Sequence, residues 1–114
     1  MPIDGTLDYI ELPGADLPAT KKFYREVFGW DFTDYGPDYV AFAAAGRDGG
    51  FNAARKVVTG GGPLIVLYAN KLDEMEAKVK AAGGEIIGHE RFEGGRRFHF
   101  RDPNGNELAV WTKM

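Results

Sequence analysis

The chain has 114 residues, 14 Lys and Arg against 17 Asp and Glu for a formal net charge of −3, and no cysteine. That length is enough for one domain with its own core, and the missing cysteines exclude a disulfide framework, thiolate metal ligands and a thiol nucleophile. Mild acidity gives no electrostatic case for nucleic acid, and no apolar run is long enough to cross a membrane as a helix.

Met1–Gly5 lacks the pattern of a signal peptide, so a cytoplasmic location is expected, with neither membrane nor nucleic acid as partner. Leu7–Leu12 alternates, with Ile10 and Leu12 on one face and Tyr9 and Glu11 on the other, which predicts a strand ended by Pro13-Gly14. Asp16 is a good N-cap and Pro18 is tolerated in a first helical turn. Leu17, Thr20, Phe23, Tyr24, Val27 and Phe28 recur at helical spacing, and Gly29 can end the helix. Trp30–Thr33 and Tyr39–Ala45 read as short strands about the turn Tyr35-Gly36-Pro37-Asp38, and Phe51–Val58 as a fourth strand.

Gly60-Gly61-Gly62 suits a joint between two halves, after which the plan restarts. Leu64–Tyr68 predicts a strand, Asn70 a cap, and Leu72, Met75, Val79 and Ala82 a helix stopped by Gly83-Gly84. Glu85–His89, Arg97–Arg101 and Glu107–Thr112 follow as strands. In the last two, Phe98, Phe100, Leu108 and Val110 share one face. Arg97, His99 and Arg101 share the other with Glu107, Ala109 and Trp111. Between them Asp102-Pro103-Asn104-Gly105-Asn106 reads as a tight hairpin turn, Asn-Gly supplying the positive φ values.

Cap to terminating glycine is 13 positions in both halves, Asp16 to Gly29 and Asn70 to Gly83, an offset of 54 that also carries Arg47-Asp48 onto Arg101-Asp102. This is the mark of a duplicated strand–helix–three-strand unit. One unit has a single helix for one sheet face, so the mixed face must meet another sheet or enclose something. Two units side by side make a concave cup, the usual place for a small-molecule site. The Gly-rich pieces Gly46–Gly50 and Gly60–Gly62 lack the Lys-Ser/Thr and helix of a phosphate loop. The charges of Lys71–Lys80 form an ordinary solvated helix face.

Tyr9-Ile10-Glu11-Leu12-Pro13, the helix carrying Phe23-Tyr24 and ending in Phe28-Gly29-Trp30, and Phe100-Arg101-Asp102-Pro103-Asn104-Gly105-Asn106-Glu107 together cover nearly the whole chain. In these motifs the chain resembles the vicinal oxygen chelate superfamily, which holds glyoxalase I, bleomycin- and fosfomycin-resistance proteins and extradiol dioxygenases. The resemblance implies an α+β fold of two β-α-β-β-β modules, about 5–59 and 63–114, in one glyoxalase-like domain. They would form a curved, half-open barrel-like cup with helices outside. It also implies a homodimer. Metalloenzymes of the family place His and Glu ligands on the first and last strands of each module. By position these places fall at Tyr9, Leu64, Ala109 and near Gly49–Phe51. None is a His or a carboxylate, so neither a metal nor another cofactor is expected there.

His99 is a candidate acid or base near neutral pH, set against the plainer reading that it only bonds a neighbouring carboxylate. Glu11, beside Tyr9 on the mixed face, is a second candidate, set against a simple pair with an arginine. Tyr9, Tyr68 and Trp111 offer rings to a planar ligand and Arg97 a charge to an anionic group. The same rings would also serve as a buried seam. His89 reads as a surface residue. The first functional expectation is metal-free binding of a small organic ligand by Tyr9, Tyr68, Arg97 and Trp111. The alternative is a glyoxalase-like lyase or isomerase using Glu11 and His99 as acid and base or, with Glu107, as off-position metal ligands. A third reading has the concave face filled by the protein's own rings.

Overall fold

The computed structural model describes residues 2–114; Met1, the first residue of the segment judged unlike a leader, lies outside the described residues. The chain folds into two compact units, Met1–Lys56 and Val57–Met114. The first contains β1 (Tyr9–Pro13), α1 (Leu17–Phe28), β2 (Asp31–Asp34), β3 (Tyr39–Ala43) and β4 (Asp48–Asn52). The second contains β5 (Ile65–Tyr68), α2 (Leu72–Ala81), β6 (Glu85–Phe92), β7 (Gly95–Arg101) and β8 (Glu107–Lys113). Each unit is an open four-stranded mixed sheet with one helix, ordered β1-β4-β3-β2 and β5-β8-β7-β6. The strand before the helix pairs in parallel with the last strand of its unit, and the other pairings are antiparallel. The architecture is α+β, and the element order repeats.

Capping sets α1. Asp16, extended at φ −124°, accepts a hydrogen bond from the Ala19 amide at 3.1 Å. At the other end Gly29, at φ 73°, donates to the Arg25 carbonyl at 3.1 Å and Trp30 donates to Tyr24 at 3.3 Å. The buried stripe of this helix is Leu17, Thr20, Phe23, Tyr24 and Val27. Its rings meet the sheet through Tyr24, whose ring lies 4.7 Å from Trp30 and 5.0 Å from Phe51.

In the second unit Asn70 does not cap α2. The N-cap is Lys71, which makes no side-chain capping bond, and the Asn70 carbonyl instead accepts from the Thr112 hydroxyl at 3.3 Å. Asn70 lies one residue too early, still tied to the sheet. The alternation of β7 and β8 holds: Phe98, Phe100, Leu108 and Val110 are fully buried, beneath a helix that packs on β6, β7 and β8. Burying each such side chain contributes about 1.5–3 kcal/mol.

Three further expectations change. The fourth strand runs Asp48–Asn52 rather than 51–58, because Gly49 and Gly50 pair inside the sheet. The fixed offset fails beyond the helices. It is 55 between the helix starts Leu17 and Leu72, but 59 between Gly50 and Ala109, the partners of Glu11 and Val66. Arg47-Asp48 therefore enters a last strand, whereas Arg101-Asp102 leaves the one before it. The longer β6–β7 ribbon accounts for the difference.

The hairpin before β8 is also built differently from a two-residue turn. Only Gly105 has a positive φ there, at 92°. The Asp102 carboxylate, 5% exposed, accepts from the amides of Asn104 and Asn106 at 2.9 Å each. The Asp102 amide donates to the Asn106 carbonyl at 2.9 Å. A side chain closes the loop.

Asp102→Ala removes the carboxylate that accepts from those two amides and is expected to cost about 1–3 kcal/mol, read as a lower urea midpoint at unchanged m. A Cβ at Gly49 would collide with the Ile10 carbonyl and the Phe42 ring. Gly49→Ala is expected to destabilise by about 1–3 kcal/mol in the same measurement.

Candidate functional site

In each unit the helix covers one sheet face, and the chemistry-bearing residues lie on the other. On the first sheet this face carries Tyr9 and Glu11 from β1, Gly50 and Asn52 from β4, and Tyr39 and Ala41 from β3. Glu11 is opposite Gly50, Gly50 opposite Ala41, and Tyr39 opposite Asn52. A Cβ at Gly50 would run into the Tyr39 ring and hydroxyl, so the glycine lets that ring lie across β4 toward β1. There the Tyr39 hydroxyl bonds to the Tyr9 hydroxyl, with Glu11 beside them on β1. Glu11 Oε2 also accepts from Asn52 Nδ2 at 3.4 Å and faces Arg55 Nη1 at 3.9 Å. Burial first, then the bond to Tyr9 and the negative charge of Glu11, hold the Tyr39 phenol protonated far above the usual tyrosine range.

On the second sheet His99 lies between two carboxylates. Its Nδ1 is 2.8 Å from Glu107 Oε2, and its Nε2 is 3.7 Å from Glu90 Oε1. The imidazole is 14% exposed and Nε2 is buried without a hydrogen-bond partner. Arg97 reaches both oxygens of Glu90 at 3.2 Å, so its charge is already matched on the same sheet. Its Nε, like His99 Nε2, is buried without a partner. Trp111, directly opposite Arg97, packs edge-on against Tyr68 at 5.2 Å and against Phe92 at 6.2 Å. Tyr68, Phe92 and Val66 remain 45%, 43% and 42% exposed. Ala109, between Val66 and His99, is fully buried. His89 projects toward α2, where its Nε2 meets the Glu76 carboxylate at 3.0 Å.

Of the residues singled out from sequence, Tyr9 and Glu11 thus come together in the first unit, and Tyr68, Arg97, His99 and Trp111 share one face of the second. Both plainer readings describe real contacts: His99 bonds Glu107, and Glu11 faces Arg55. The positions matching the family's metal-ligand places offer a phenol at Tyr9 and otherwise Leu64, Ala109 and glycine-rich backbone, a donor set that does not fit a divalent ion. Among the described residues no group of three or more His, Cys, Asp or Glu side chains is arranged to hold one. Arg97 lines a cavity of about 360 Å³ with Leu72, His89, Glu90, Arg91 and Arg96, at the β6–β7 ribbon rather than over Trp111.

Sequence reading missed Tyr39, Asn52 and Arg55 on the first face, and Glu90 and Phe92 on the second. Gly49-Gly50 inside a strand was the available signal for Tyr39, since glycine there marks close approach by a ring. For Glu90 and Phe92 the signal was Ile86-Ile87-Gly88. The register shifts between Ile86 and Gly88, and this irregularity turns Glu90 and Phe92 to the face of Arg97 and Trp111.

The model of the Glyoxalase/Bleomycin resistance protein/Dioxygenase superfamily matches residues 6–110. The anthracycline biosynthesis protein DauV of Streptomyces sp. (strain C5) is 30% identical over 130 residues, covering 96% of this chain and 47% of that protein. The chain thus spans about half the length of this curated relative. Lactoylglutathione lyase from Agrobacterium tumefaciens superposes with a TM-score of 0.75 at 21% identity, over 96% of this chain and 95% of that one. A glyoxalase/bleomycin resistance protein/dioxygenase family enzyme from Burkholderia phytofirmans PsJN superposes with a TM-score of 0.79 at 19% identity, over 94% and 98%. At those identities the structural likeness speaks for the fold alone. With the element order, the paired motifs and the match over 6–110 in agreement, the chain belongs to the Glyoxalase/Bleomycin resistance protein/Dioxygenase superfamily.

Proposed function

We propose that this chain binds a small organic molecule without a metal, on the sheet faces that its helices leave open. The observation that carries the reading is Trp111, flanked by the half-exposed rings of Tyr68 and Phe92. Exposed rings clustered beside a charged pair are the usual composition of a ligand wall, apolar area for affinity and a few polar groups for orientation. Because Glu90 already neutralises Arg97, the pair offers a ligand both a donor and an acceptor rather than a bare positive charge. The residues of the reading are Tyr68, Arg97 and Trp111 on the second sheet and Tyr9 on the first. A cytoplasmic homodimer belongs to the same proposal, with light scattering as the measure of its oligomeric state.

A second reading has one specific observation in its favour. Glu107 holds His99 by Nδ1, while Nε2 makes no hydrogen bond and stands 3.7 Å from Glu90 Oε1, an arrangement that orients an imidazole for proton transfer. On this reading the chain is a lyase or isomerase with His99 and Glu11 as its acid and base.

Trp30 is 5% exposed, so emission changes on adding planar aromatic compounds should report Trp111. Trp111→Ala is expected to weaken binding of a responding compound by tenfold or more; unchanged affinity would remove the aromatic wall from the site. Adding Zn²⁺ or Mg²⁺ should leave the melting temperature where it was, and a large rise would count against metal-free binding. Under the second reading, turnover collapses in His99→Ala and in Glu11→Gln, and full activity in either variant removes it.

A further inference from the structure

The cavity at the β6–β7 ribbon lies outside both open faces, and the binding function makes no use of it. Beyond the register shift the two strands pair Glu90 with Arg97 and Arg91 with Arg96. Alternation puts Arg91 and Arg96 on the side of α2, and there Arg96 Nη1 meets Asp73 Oδ1 at 3.0 Å. Two like charges directly opposite each other on neighbouring strands repel. Both arginines line the cavity of about 360 Å³, together with Leu72 at the start of α2.

The acids near this cavity already have cations. Asp73 is on Arg96, Glu76 is on Lys80 and His89, and Glu90 is on Arg97. Among the described residues Arg91 makes no ion pair, and Glu93 in the turn beyond pairs with neither arginine. Arg96 is held by a single contact to a side chain that is 82% exposed, and surface pairs of that kind are weak. Each guanidinium carries five N–H donors in a planar fork, so the two together keep most of their donors for something else.

We propose that Arg91 and Arg96 form a site for the phosphate group of a small ligand, on the helix side of the second sheet. The oxygens select the ligand. A carboxylate has two and fills one guanidinium fork, whereas a phosphate presents an edge to each of two forks. A dianion between the arginines also turns their repulsion into attraction on both sides. The cavity is larger than a bare phosphate and leaves room for the organic part of a monoester. Asp73 is the resident competitor, a carboxylate on one corner of Arg96 that a better oxyanion displaces.

The test titrates the isotope-labelled full chain by NMR with glycerol 3-phosphate, inorganic phosphate and acetate at one fixed ionic strength, so that general screening is constant. Glycerol 3-phosphate should shift the Arg91 and Arg96 Nε–H signals to saturation and bind about tenfold more tightly than acetate. Arg91→Lys, which keeps the charge and loses the fork, should weaken it by about fivefold, and Arg91→Gln by about tenfold or more. Asp73→Asn, which frees Arg96, should tighten it by about twofold. Arg91 is exposed, so both substitutions there leave the fold intact, with a melting temperature no lower than wild type in phosphate-free buffer as the control. An ester that binds more tightly than inorganic phosphate makes a monoester the ligand, and equal binding makes it the free ion; either upholds the phosphate site. Shifts that never saturate, acetate binding as tightly as phosphate, or full affinity in Arg91→Gln overturns it. None of these outcomes touches the reading of Tyr68 and Trp111, which stand on the other face of the sheet.

Discussion

A four-stranded sheet has two faces, and each unit of this protein has one helix to cover them. From that constraint most of the molecule follows. The face under the helix must be apolar and well packed, as Phe98, Phe100, Leu108 and Val110 are under α2. The other face is left without a helix of its own, and there the chain can carry polar and titratable groups without breaking its core. Strand alternation sorts the residues between the two, one side chain at a time.

The open faces carry charge, but little of it is loose. Glu11 is held by Asn52 and Arg55, and Glu90 stands between Arg97 and His99. Such pairing is what keeps half-buried charges tolerable, and it gives each group a fixed direction. It also narrows the chemistry. Arg97 is one half of a pair rather than a lone anion hook, and His99 has Nδ1 engaged by Glu107 while Nε2 is buried.

The two units share an element order but not a chemistry. Where the first has Glu11, Gly50 and Ala41 in a row across the sheet, the second has Val66, Ala109 and His99. The carboxylate of one unit falls where the other is aliphatic, and the imidazole of one falls where the other has a methyl group. The two units repeat one backbone plan, and the side chains on their open faces differ. The superfamily's name spans resistance proteins and oxygenases, and a scaffold whose open face varies freely over a helix-backed core can host such a range.

The sequence by itself determined the element order, the helix-covered set and the parity of the terminal strands. Period-two and period-3.6 patterns are local and survive without knowledge of neighbours. Asp16 and Gly29 set the ends of α1 by bonds within a few residues, so they too were legible. Only the tertiary structure decided which groups meet. The Tyr39 ring lies across β4 toward β1 because a glycine on that intervening strand leaves the space, and Glu90 faces Arg97 because the strand slips by a residue after Ile86. Both depend on cross-strand register, which no stretch of the chain encodes alone, because a shift of one residue moves every later side chain to the opposite face.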